Sequence, residues 1–265
     1  MKLSSKRMIN FTFLIFICIL AAFLIKGTNA IGNYSEIIGA LFFVYGILSA
    51  YYLTKMQDTE ASIGEQTMIE ASSWKLLYLY YKNKWPKLLF KISDLIYEYI
   101  KEVYSFEYRE YHKSDTKFYK IIDYLLSLKY GGEITSIYDY LKSVQDSRES
   151  QKILYKKSKS TRVYLLLYVL LIISVLSIYA FKGNDFLYNI IVGSFSAAMI
   201  LVMQIIVEKK SLAGDEYNTF FRPFDELIDL MGKKRVYAES VIKYGLIDTK
   251  LLSKKKIPYE IIKGK

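Results

Sequence analysis

The chain alternates between long apolar segments and segments of mixed polarity. Four runs contain no Asp, Glu, Lys or Arg: Ile9–Ile25, Ile37–Leu53, Val163–Phe181 and Phe186–Val207. Each is near the roughly 20 residues that a helix needs to cross a hydrocarbon core. An isolated strand would leave its backbone groups unpaired there, so the runs are predicted to be helices. Short loops join the first run to the second and the third to the fourth. The pattern predicts an all-α membrane protein in which two transmembrane helical hairpins, over 1–55 and 163–207, flank a cytoplasmic helical bundle over 56–162. A basic cytoplasmic tail, 208–265, follows.

The middle region carries helical periodicity. Apolar residues at Leu88, Ile92, Leu95, Ile96, Tyr99, Ile100 and Val103 recur every three or four positions, which predicts one buried stripe. Pro86 just before them suits the first turn of a helix. A second helix is predicted after Ser114-Asp115, either of which has a side chain able to cap its first amides. It runs through Phe118, Ile121, Ile122, Leu125 and Leu128, and Gly131-Gly132 stops it. A third carries Ile134, Ile137, Tyr138, Leu141 and Val144 on one face, then turns polar through Gln145–Gln151. In the tail, Pro223–Met231 predicts a short amphipathic helix ended by Gly232, and a further helix is expected over Val236–Tyr244. The final "LLSKKKIPYEIIKGK" suits a docking peptide, a lipid-surface contact or a disordered end.

Charge orients the chain. Thirty-five of the 37 Lys and Arg residues lie before the first run, between runs two and three, or after run four. By the positive-inside rule both termini and the middle domain face the cytoplasm, in the cytoplasmic (inner) cell membrane. Lys55, Lys156, Lys157, Lys159, Arg162, Lys209 and Lys210 supply the bias close to the membrane. A competing reading of the start is a cleaved signal peptide, because Lys2, Lys6 and Arg7 precede an apolar stretch and Thr28-Asn29-Ala30 resembles a cleavage site. The long apolar run and Lys26 favour a retained helix. The net charge of +11 does not point to nucleic acid. The middle segment is only mildly basic, and the charges mark the cytoplasmic side and contact anionic lipid headgroups.

The runs hold few polar residues, none ionisable near neutral pH, which argues against an ion-coupled transporter. They hold small residues instead. Gly46 with Ala50 and Gly193 with Ala197 are spaced four apart, a pattern that lets helices pack closely on each other or on a second copy. The single cysteine, Cys18, forms neither an intramolecular disulfide nor a metal site.

Phe118–Leu141, "FYKIIDYLLSLKYGGEITSIYDYL", followed by "KSVQDSRESQKILYKKSKSTRVYLLLYVLL", resembles the type II secretion system F family. Within it the segment resembles the short TadB/TadC-like inner-membrane platform proteins of tight-adherence and type IV pilus systems. Gly131, Gly132 and Glu133 match the family's turn, Ile137 and Leu141 its following helix, and Arg148 to Lys157 its charged stretch. The resemblance covers about 66–207. The first half departs from it, with "YLYYKNKWPKLL" and "KEVYSFEYREYH" where the family has Ala-Gly-Leu and Gly-x-x-x-x-x-Ala-Leu turns. The resemblance implies an assembly platform rather than an enzyme. Its partners would be a cytoplasmic secretion ATPase, pilin-like subunits, and a sister platform protein or a homo-oligomer.

Signals for catalysis are sparse. No phosphate loop, His-Glu-x-x-His or Gly-x-Ser-x-Gly occurs, and no cofactor or metal is expected. His112 reads as a surface residue. The pairs Glu107 with Glu110 and Asp225 with Asp229 read as solvated faces, and Trp74, Trp85 and "LLYLYY" as core and membrane-interface packing. Two other classes stay open: an oligomeric membrane channel or effector, and a membrane-anchored scaffold.

Overall fold

The structure is a computed structural model that describes residues 5–28, 31–105, 114–128, 134–158, 161–183, 185–211, 222–243, 247, 252–253 and 257–263. It is almost entirely helical. The chain divides into two compact units, Met1–Met56 with Ser160–Ser211, and Gln57–Lys159 with Leu212–Lys265.

The first unit contains α1 (Ser5–Leu24), the first part of α2 (Ile31–Lys84), α6 (Thr161–Phe181) and α7 (Phe186–Ser211). Among the described residues, three helices are long and apolar enough to cross a membrane: Glu36–Lys84, Val163–Phe181 and Phe186–Val207. The first of the four runs contributes a shorter apolar stretch, Phe13–Leu24 within α1. Phe13, Phe16, Leu24, Leu165, Leu176 and Leu187 are exposed, as expected of helices whose solvent is lipid rather than water. Inside the unit, Ala22 and Ile178 pack with Tyr179 and Val192, and a second cluster gathers Tyr45, Tyr52, Leu167, Leu171, Met203 and Ile206. The tyrosine hydroxyls stitch helices together: Tyr179 donates to the Cys18 carbonyl at 2.8 Å and Tyr45 to the Met199 carbonyl at 2.9 Å. Lys182, only 1 % exposed, follows the C-terminus of α6, where the helix dipole favours a cation. Its ammonium donates to Asn189 Oδ1 at 2.6 Å.

The second unit holds the remainder of α2, α3 (Pro86–Ser105), α4 (Asp115–Ser127), α5 (Ile134–Ser158), α8 (Arg222–Leu230), β1 (Arg235–Ala238), α9 (Glu239–Lys243) and β2 (Tyr259–Ile262). The helix that contains the second apolar run does not stop with it but continues to Lys84. Pro86 ends it, since proline disfavours helical backbone in the preceding residue and opens a new helix without needing an N–H. The predicted stripe of α3 is buried at Ile92, Ile96, Tyr99, Ile100 and Val103, and that of α4 at Phe118, Ile121 and Leu125. Trp74 of α2 is fully buried and meets the rings of Tyr99 and Phe118 with centroids 5.5 and 6.2 Å away.

Two local expectations are corrected. The Ser114 side chain makes no cap bond at the start of α4; the Lys117 amide instead donates to the Glu102 carboxylate at 3.3 Å. The segment after α7 is not all helix either, because Val236–Ala238 falls in β1, which pairs in parallel with β2 in the register Arg235↔Tyr259 to Ala238↔Ile262. Val236 and Tyr237 favour extended backbone and are buried there. The α8 helix does form where predicted. It ends at Gly232, whose φ of 66° suits glycine at the residue that terminates a helix. The Lys233 amide donates to the Ile228 carbonyl and the Gly232 amide to that of Asp229, at 3.1 and 3.0 Å, the paired bonds of a Schellman ending. Phe224, Leu227, Ile228, Val236, Tyr237 and Val241 join the same hydrophobic core as α3 and α4.

Candidate functional site

A polar cluster of the second unit centres on Arg148 of α5. The stripe that buries Ile137, Leu141 and Val144 continues at the same three-and-four spacing through Ser147, Arg148, Gln151 and Tyr155, all buried. The polar stretch after Val144 is therefore part of the core face. Arg148 is 6 % exposed. Its Nη1 donates to the Tyr99 hydroxyl and, at 3.2 Å, to Ser114 Oγ, while Nη2 donates to Asp115 Oδ1 at 2.6 Å. Its guanidinium also lies 4.7 and 5.2 Å from the ring centroids of Phe118 and Tyr99. The Tyr99 hydroxyl donates to Glu70 Oε1, and Gln151 Nε2 donates to Glu70 Oε2 at 3.1 Å. One guanidinium thus ties α3, α4 and α5, and the Tyr99–Glu70 link adds α2.

Burial sets the direction of titration for Glu70 and Tyr99. It pushes the Glu70 carboxyl above the usual glutamate range, against the pull of Arg148 and of the bonds from Tyr99 and Gln151. Burial likewise holds the Tyr99 phenol well above its usual value, opposed by Arg148 and reinforced by Glu70. Burial alone would ease the proton off Arg148, but Tyr99, Glu70 and Asp115 outweigh it and hold the guanidinium charged. The raised carboxyl of Glu70 makes the cluster's contribution to stability depend on pH. A group whose folded pKa exceeds its unfolded one stabilises the fold below the unfolded value, and that contribution is lost as pH rises through the folded value. Raising the pH from about 4.3 should therefore weaken the second unit through Glu70. The Glu70→Gln variant should lose this slope and gain stability relative to wild type as pH rises. Denaturant unfolding followed by tryptophan fluorescence at several pH values checks it, because both tryptophans of the chain, Trp74 and Trp85, lie in this unit; parallel slopes would refute it.

A second polar group joins α3 to the C-terminal strands. Lys233 Nζ meets Asp94 at 2.6 Å, Lys101 Nζ meets Glu260 at 3.0 Å, and the Tyr97 hydroxyl donates to the Lys234 carbonyl at 2.9 Å. Burial first and Glu260 second push the Tyr97 phenol up to about 12. Of Asp225 and Asp229, read as a solvated face, only Asp229 is exposed. Asp225 is buried, Arg235 meets Asp229 through Nε at 3.0 Å and Nη2 at 2.6 Å, and its Nη1 lies 3.6 Å from Asp225. These carboxylates anchor an arginine.

The small residues singled out in the apolar runs diverge. A Cβ on Gly193 would lie 2.5 Å from the Ile19 Cα, so α1 and α7 touch backbone to backbone there, and Ala197 is fully buried. Gly46 and Ala50 are exposed, and a Cβ on Gly46 would meet nothing within 4 Å. Gly131, Gly132, Glu133, His112, Glu107 and Glu110 lie outside the described residues. Among the described residues no group of three or more His, Cys, Asp or Glu could hold a metal ion.

Fold and site together define a largely helical protein with three helices able to cross a membrane and a second unit built around a buried arginine junction. No family model matches the chain, and neither a curated protein nor a solved structure matches it.

Proposed function

We propose that the chain is a multi-pass membrane platform of a pilus-assembly or type II-like secretion machine, similar to the type II secretion system F family. In this reading α1 with α2 and α6 with α7 form two transmembrane hairpins, and the Lys and Arg distribution puts both termini and the second unit in the cytoplasm. The second unit meets a cytoplasmic secretion ATPase, the apolar helices meet pilin-like subunits, and a homo-oligomer or sister platform protein completes the assembly. The observation that carries the reading is the order of elements along the chain: apolar helices, a helical polar segment, then two more apolar helices. The Arg148 junction supports a mechanical role, because its charged groups pair with one another in joining four helices.

Cross-linking the tagged chain in its native membrane, followed by purification in mild detergent and mass spectrometry, tests the proposal. A secretion ATPase and pilin-like subunits are expected among the attached proteins. The variants Gly131→Val and Gly132→Val should abolish fibre or cargo assembly while leaving membrane insertion intact. Recovery of a self-oligomer free of those partners, with conductance after reconstitution, would replace the platform by a channel.

A further inference from the structure

We propose that the end of α2 and the start of α3 form a docking face for an acidic polypeptide segment, with Phe90 as its apolar anchor and the lysines around it pairing with the segment's carboxylates. This is independent of the assembly-platform reading.

The charge of this region is one-sided. From Ala71 to Ser93 the chain holds Lys75, Lys82, Lys84, Lys87 and Lys91, and no Asp or Glu. Lys75 is taken by Glu226 at 3.2 Å. Lys82, Lys84, Lys87 and Lys91 are exposed, and among the described residues Lys82, Lys87 and Lys91 make no ion pair. The fold adds positive charge rather than balancing it. Lys233, just past the Gly232 turn, meets Asp94 at 2.6 Å and so neutralises the first acidic residue of α3. Lys234 beside it is exposed, its carbonyl held by the Tyr97 hydroxyl at 2.9 Å. Like charges gathered without a counter-charge are complementary to a partner of opposite sign.

Phe90 selects the kind of partner. It is 74 % exposed and is the one exposed large apolar residue of α3, whose buried stripe runs through Ile92, Ile96, Tyr99 and Ile100. Lys87 lies one turn before it on the helix surface, Lys91 follows it, and Lys233 Nζ stands 5.4 Å from its ring centroid. An aromatic residue inside a charged rim is the anatomy of a protein-recognition surface. A bilayer fits less well, because an interfacial helix lays a broad apolar face into the headgroups, and here Phe90 stands alone. A nucleic acid fits less well too. Bases stack on open aromatic rings and on Arg planes, whereas Lys233 lies over the Phe90 ring and no Arg occurs between Ala71 and Ser93.

The test uses the full chain in nanodiscs of phosphatidylcholine and a short fluorescein-labelled peptide of glutamates around one leucine, followed by anisotropy. Binding should weaken several-fold between about 0.05 and 0.3 M salt, and several-fold when the peptide's leucine is replaced by serine. Phe90→Ala should weaken the leucine peptide about tenfold and abolish the difference between the two peptides. Lys87→Gln with Lys91→Gln should weaken both peptides and flatten the salt dependence. All three side chains are exposed, and an unchanged urea midpoint confirms that the variants fold. Absence of binding, or a leucine preference that persists in Phe90→Ala, would overturn the proposal. Tighter lysine-dependent docking of phosphatidylglycerol vesicles or of a thymidine oligonucleotide would overturn it in favour of lipid or nucleic acid. Lysine-dependent self-association that excludes the peptide would overturn it in favour of a second copy.

Discussion

Replacing Arg148 by methionine is expected to destabilise the second unit by about 3–5 kcal/mol, the cost of removing one partner from a buried charged network. The side chain is nearly enclosed, and its loss strands several groups together. Asp115 loses its 2.6 Å contact, the fully buried Ser114 loses a donor, and the rings of Phe118 and Tyr99 lose the cation over their faces. Glu70 loses its largest charge-favouring influence, so its carboxyl should climb further above the usual glutamate range. That relaxation makes the variant's stability depend on Glu70. The double variant Glu70→Gln with Arg148→Met should cost less than the sum of the two single changes, with a coupling of about 1–3 kcal/mol. Urea unfolding of the full chain in detergent, read by tryptophan fluorescence, measures all three variants on the unit concerned. Additive losses, or an Arg148→Met variant within about 0.5 kcal/mol of wild type, would mean that the junction does not hold the four helices.

The Arg148 network also shows where sequence patterns inform and where they mislead. Three of the four apolar runs were legible because an uncharged stretch of about 20 residues has few other uses. The α3 and α4 stripes were legible because their buried positions are all apolar. The α5 stripe was legible only to Val144, since hydrophobicity stops there while the helical period does not. Ser147, Arg148, Gln151 and Tyr155 keep the spacing of Ile137, Leu141 and Val144, and that periodicity was the signal available. It was masked by Gln145, Asp146, Glu149 and Lys152 on the exposed side, which make the whole stretch read as solvated. What sequence could not supply is the partner set: Glu70, Tyr99 and Asp115 are brought to Arg148 from three other helices. The same limit hid the role of Asp225, whose partner Arg235 arrives only after the Gly232 turn. β1 was read as helix because a four-residue strand is too short to display its own alternation, and its partner β2 begins more than twenty residues later.

The two small-residue pairs carry the same spacing in the sequence, and their substitution should separate them by a wide margin. At Gly193 a methyl group would press on the Cα and amide nitrogen of Ile19, 2.5 and 2.8 Å away. These are backbone atoms that no rotamer change can move aside, so Gly193→Ala must push α1 from α7. Forcing extra volume into such a contact costs about 1–3 kcal/mol, and Gly193→Leu should separate the two helices outright. The neighbouring Cys18 supplies the reporter. It is the only cysteine of the chain, it is buried, and its carbonyl accepts the Tyr179 hydroxyl that joins α1 to α6. Maleimide should therefore modify Cys18 slowly in the wild-type protein, faster in Gly193→Ala, and at close to the rate of an exposed thiol in Gly193→Leu. Gly46→Ala, placed where nothing stands within 4 Å, should leave the rate and the stability within about 0.5 kcal/mol of wild type. Equal effects at the two glycines would show that spacing alone governs these helices. The predicted contrast assigns Gly193 to packing within the chain and denies Gly46 the same role, although the sequence spaces the two pairs alike.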